Sequence, residues 1–153
     1  MLLKPVRLTR RRAVFYVFAL GVALCAVILL VSAADCRAAA VRRGLVRSEA
    51  DCISYLASLG WETEAETVSC RDSVLPRTFD GVFADYAALQ KQQGFDLSAW
   101  RGEPITIYTA RVTNYGAFDG GGEVWATLLV HNGRVIGGDV HSTALGGFMH
   151  ALS

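Results

Sequence analysis

A run of 22 residues without a charge, Ala13 to Ala34, stands directly behind the cations Arg10, Arg11 and Arg12. As a helix rising about 1.5 Å per residue it reaches about 33 Å, against a hydrocarbon core of about 30 Å. The run predicts a single N-terminal transmembrane helix over 13–34. Residues 1–12 then form a cytoplasmic basic segment, 35–47 a juxtamembrane stalk that continues the helix towards Gly44, and 48–153 an extracytoplasmic domain. A cleavable signal sequence has a shorter apolar core, about 7 to 15 residues. Val31-Ser32-Ala33 does offer small residues to a peptidase, so cleavage stands beside retention as an anchor. Lipidation at Cys25 or Cys36 is disfavoured, because Leu24 and Asp35 occupy positions that need a small residue.

Cations near the two ends set the expected orientation. Lys4, Arg7 and Arg10 to Arg12 precede the run without an acid among them, and Arg37, Arg42, Arg43 and Arg47 follow it beside Asp35. The tight arginine triplet favours a cytoplasmic N-terminus and a location at the cell membrane, with the lipid bilayer as one partner. Residues 1–47 hold nine Lys and Arg against one acid, a net of +8, whereas 48–153 hold six against thirteen, a net of −7. An acidic domain argues against nucleic acid, whose phosphates are met by clustered Lys and Arg.

The 106 residues after Arg47 suit one small domain. Ser48-Glu49-Ala50-Asp51 resembles a capping box, and Cys52, Ile53, Leu56 and Leu59 recur at helical spacing until Gly60. A strand is expected around 66–75, closed by Pro76. A second helix starts near Thr78 with Phe79, Val82, Phe83, Tyr86, Leu89 and Gln90 on one stripe, and ends at Gly94. Phe95, Leu97 and Trp100 form an apolar connection that plugs the core.

The last third reads as strands: 105–114, then 123–131 and 134–140 flanking Asn132-Gly133, a strong hairpin signal. The expected fold is α+β, two helices packed on a three- to four-stranded antiparallel sheet. A two-residue turn at 132–133 opposes residues whose numbers sum to 265, which places Val130 against Val135 and Ala126 against Asp139. Neither face of that hairpin is purely polar. One helical layer covers one face, leaving the second for a loop or a partner.

Candidate chemistry is sparse. Asp139 and His141 lie two residues apart on one strand face, the geometry of an acid–base dyad or of an ordinary hydrogen-bonded pair. His131 lies roughly 23 Å from His141 along the hairpin, too far to share a metal. His150 reads as packing. Cys70, in Ser69-Cys70-Arg71, faintly echoes a cysteine transpeptidase motif whose His and Gly are missing, and no Gly-x-Ser-x-Gly elbow occurs. Cys52 and Cys70 form either a disulfide or two free thiols. Asp119-Gly120-Gly121-Gly122-Glu123 has the composition of a flexible connection more than of a cation loop. Gly137-Gly138 inside a strand suggests a bulge or the close approach of another backbone. No metal site and no cofactor are expected.

Several segments carry a resemblance: Gly60-Trp61-Glu62, Gln93-Gly94-Phe95-Asp96-Leu97, Val112-Thr113-Asn114-Tyr115, Gly133-Arg134-Val135-Ile136-Gly137-Gly138-Asp139-Val140 and Gly147-Phe148-Met149-His150. From about Ser48 onward the chain resembles an uncharacterised, mostly membrane-anchored domain family of Bacillota. The match is loosest over 63–73 and 116–122. The resemblance implies an anchor plus this domain and carries over no activity.

The leading expectation is a non-enzymatic, membrane-tethered extracytoplasmic interaction or accessory module, contacting an envelope protein through the sheet or 137–140. An envelope enzyme using Asp139 and His141 or Cys70 is the first alternative. A single-pass sensor or regulator acting through a partner is the second.

Overall fold

A computed structural model describes residues 19–30, 44–116 and 122–152, and the chain divides into two compact units, Met1–Ala39 and Ala40–Ser153. In the first unit, residues 19–30 form helix α1 and expose Leu20, Leu24 and Leu30. Among the described residues no helix is long and apolar enough to cross a membrane. The expected spanning helix over 13–34 is corrected accordingly. Residues 1–18 and 31–43, with Val31-Ser32-Ala33, Cys36 and most of the expected stalk, lie outside the described residues.

In the second unit Leu45 bridges to Arg134, and Val46 N–H donates to the Gly133 carbonyl at 2.8 Å. These residues were expected in the stalk; instead they line a sheet edge, and Val46 is fully buried. Helix α2 (Glu49–Ser58) follows, capped by the Ser48 side chain, which accepts from Asp51 N–H at 3.2 Å. It buries Cys52 and Leu56, one turn apart, and ends before Gly60, whose φ of +94° suits a residue without Cβ.

Five strands make one sheet in chain order: β1 (Ser69–Val74), β2 (Pro104–Arg111), β3 (Val124–His131), β4 (Arg134–Ser142) and β5 (Met149–His150). Every neighbouring pair is antiparallel. Helix α3 (Gly81–Gln92) lies between β1 and β2 in sequence, followed by a 3-10 turn, Leu97–Trp100, that buries Leu97. The α+β class stands; the sheet has five strands, not three or four.

Alternation along the central strands separates two cores. Tyr108, Ala110, Ala126, Leu128, Val130 and Val140 join Cys52 and Leu56 of α2. Ile105, Ile107, Leu129 and Ile136 join Leu75 and Leu97, with Phe79 and, from α3, Phe83 and Tyr86 packed against them. The two helices thus cover opposite faces of the sheet. The second face, expected to await a loop or a partner, is covered by the chain's own α3.

The hairpin turn forms as expected, with Asn132 at φ +49° and Gly133 at φ +76°, the positive pair that a two-residue turn needs. Only the two pairs nearest it keep the expected register, His131 with Arg134 and Val130 with Val135. Beyond a bulge at Ile136 the pairing steps by one, so Leu129 faces Gly137 and Thr127 faces Asp139. A one-residue step moves side chains to the other face. Asp139 and His141 therefore leave the α2 side and point towards α3.

Candidate functional site

The α3 face holds what polar chemistry the fold assembles. Tyr86 on α3 donates its phenolic hydrogen to Asp139 Oδ1 at 2.9 Å, and His141 Nδ1 lies 2.8 Å from Asp139 Oδ2. Asp139 is only 3% exposed, whereas His141 is partly open. A carboxylate accepts and does not donate, so Nδ1 carries the hydrogen and Nε2 is left as the outer nitrogen. Burial pushes the Tyr86 hydroxyl far above its ordinary value, and the Asp139 charge and hydrogen bond add to this. Tyr86 stays a neutral donor.

This network depends on how closely α3 approaches the bulged strand. Gln90 is fully buried, and its side-chain amide pairs with one strand residue: it accepts from Gly138 N–H at 2.8 Å and donates to Gly138 C=O at 2.9 Å. Gln93 donates to the same carbonyl at 3.0 Å and accepts from Leu152 N–H at 2.8 Å. A Cβ at Gly137 would sit 2.9 Å from Gln90 Oε1, and one at Gly138 only 2.5 Å from the Thr127 carbonyl. The glycine pair is needed for the close approach read from the sequence; the bulge itself falls one residue earlier. Gly137, Gly138, Asp139 and Val140 are all buried within this unit.

Beside this network runs an open groove of about 660 Å³, lined by Val82, Phe83, Asp85, Tyr86, Leu89 and Met149. Val82 is 87% and Met149 52% exposed. Register pairs Met149 with His141, so both side chains share the α3 face. Asp85 is the one carboxylate of the lining. Sequence reading placed Val82 on the buried stripe of its helix; in the fold it stands clear of the sheet.

The remaining candidates do not converge. His131 donates from Nδ1 to the Pro104 carbonyl at 2.8 Å, accepts at Nε2 from Asn132, and packs its ring 4.6 Å from Trp100. It is a satisfied core histidine. His150 donates to the Ala151 carbonyl, accepts from Tyr115, and stacks with Tyr115 and Phe148. Cys70 is an exposed free thiol on β1, opposite Tyr108 and so on the α2 face. Three strand spacings of about 4.8 Å and the thickness of the sheet separate it from His141. Cys52 is also a free thiol; burial first, then the Glu49 charge, pushes it up to about 12. No bond joins Cys52 to Cys70.

Glu123 of the glycine-rich segment accepts from Arg111 at 3.0 Å, and Arg111 also binds Glu64. Asp119, Gly120 and Gly121 lie outside the described residues. Among the described residues no group of three or more His, Cys, Asp and Glu is placed to hold a metal ion. Compared with known proteins, the chain matches no family model, no curated protein and no solved structure.

Proposed function

We propose that the unit Ala40–Ser153 is a non-enzymatic interaction module that receives an apolar group in the groove between α3 and Met149. The carrying observation is the exposure of Val82 and Met149 beside Phe83 and Leu89, on a face whose other apolar side chains are packed away. Exposed apolar side chains gathered around a concavity are the usual mark of a binding surface. The extracytoplasmic setting belongs to this proposal, on the cations that precede the apolar run. So does kinship with the Bacillota domain family, on the motifs given above.

The test uses Nile red, an uncharged apolar dye, with the full chain and methyl NMR. Dye should shift the methyl signals of Val82, Leu89 and Met149 and leave Val46 and Leu56 in place. Shifts confined to α1 or to the α2 face would end the reading. A reporter fused to the C-terminus that is active only in the cytosol would remove the extracytoplasmic part.

A second reading rests on the 2.8 Å contact between Asp139 and His141. A buried carboxylate that fixes the imidazole tautomer leaves Nε2 ready to accept a proton from a bound nucleophile. Turnover of activated esters by the full chain, lost in both His141→Asn and Asp139→Asn, would establish it. Rates in both variants equal to that of the unsubstituted chain would discard it.

A further inference from the structure

Resting on the groove as the binding surface, its geometry and charge select a class of occupant. Val82, Phe83, Tyr86 and Leu89 extend over two turns of α3, a length of about 10 Å. The groove stays open along that length, since its two borders, Val82 and Met149, are the most exposed of its apolar side chains. Small-molecule sites enclose most of their ligand. An open trough of two turns instead matches a helical segment laid along it with apolar anchors one turn apart.

Charge narrows the choice. Asp85 is the only charged residue of the lining, and among the described residues no Lys, Arg or His forms an ion pair with it. The unit that carries the groove, Ala40–Ser153, holds nine Lys and Arg against thirteen acids, a net charge of −4. Such a field draws cationic partners and repels acidic ones before contact. We propose that the groove binds an amphipathic basic peptide segment, its apolar side chains between α3 and Met149 and a Lys or Arg against Asp85.

Fluorescence anisotropy of the full chain tests this with three labelled helical probes of equal length: an amphipathic Leu/Lys peptide, the same pattern in Leu/Glu, and a scrambled Leu/Lys peptide. The patterned Leu/Lys probe should bind about fivefold more tightly than either control. Asp85→Lys should erase its advantage over Leu/Glu, and Val82→Asp should weaken every patterned probe. If the scrambled probe binds as well as the patterned one, net charge alone is responsible and the proposal fails. If Leu/Glu binds equally and Asp85→Lys changes nothing, the groove reading survives and the basic partner does not. If sedimentation shows self-association that Val82→Asp abolishes, the occupant is a second copy of this chain, which likewise overturns it.

Discussion

The two faces of the sheet are built by different means. On the α2 side, Cys52 and Leu56 press on Ala110, Ala126 and Val140, and the layer closes through apolar contact. On the α3 side, Phe83 and Tyr86 pack partly, and the helix is also stitched to β4 by polar bonds from Gln90, Gln93 and Tyr86. Dispersion and burial are non-directional, so they seal a surface. Hydrogen bonds are directional and position a helix without covering every side chain. That difference lets α3 leave Val82 and Met149 in solvent.

The strongest way to break the comparison is Leu56→Ala. It should lower stability by about 3 kcal/mol in urea titration, because a buried aliphatic side chain is exchanged for a cavity. A loss below about 1 kcal/mol would mean that the α2 layer collapses readily and is not the rigid side. Gln90→Leu probes the other face. The Gly138 carbonyl retains Gln93, but its N–H loses its acceptor, so a loss of about 2 kcal/mol is expected. No loss would show that shape, not hydrogen bonding, holds α3.

Alkaline titration sharpens the contrast. The Cys52 thiol is raised in the folded state from 9.0 to about 12 by burial. The unfolded chain therefore releases its proton first, and stability present below pH 9 is lost as pH rises towards 12. Between about pH 8 and about pH 10 the native chain should lose about 1 kcal/mol more than Cys52→Ala. Tyr86 is raised from 10.0, so its share of the loss begins near the top of that window and is common to both proteins. Parallel pH curves for the two proteins would mean that Cys52 is not closed off from solvent. The smallest effect on stability should come from Val82→Asp, within about 0.5 kcal/mol, while the Nile red shifts vanish.

Much of the domain was readable residue by residue. Ser48 and Gly60 bound α2, Asn132-Gly133 sets the hairpin, and the spacing of Asp139 and His141 puts both on one strand face. β5 escaped because two residues behind Gly146-Gly147 carry no periodicity. Gln90 read as one more member of an apolar stripe, since nothing local shows that a buried amide will pair with a strand. The expected anchor is not carried forward, because among the described residues no helix is long and apolar enough to cross a membrane.

What the amino-acid order determined by itself is local: helix ends, strand runs, the turn, and an acidic domain behind a basic, apolar beginning. These follow from backbone sterics, capping and periodicity within a few residues. Which face of the sheet receives Asp139 and His141 was decided only in the tertiary structure, by a single bulged residue at Ile136. So was the partner Tyr86, 53 positions away in the chain. A bulge is the outcome of competing registers over the whole strand pair, and Gln90 and the glycines beside it tip that balance through contacts that exist only once the helix has docked.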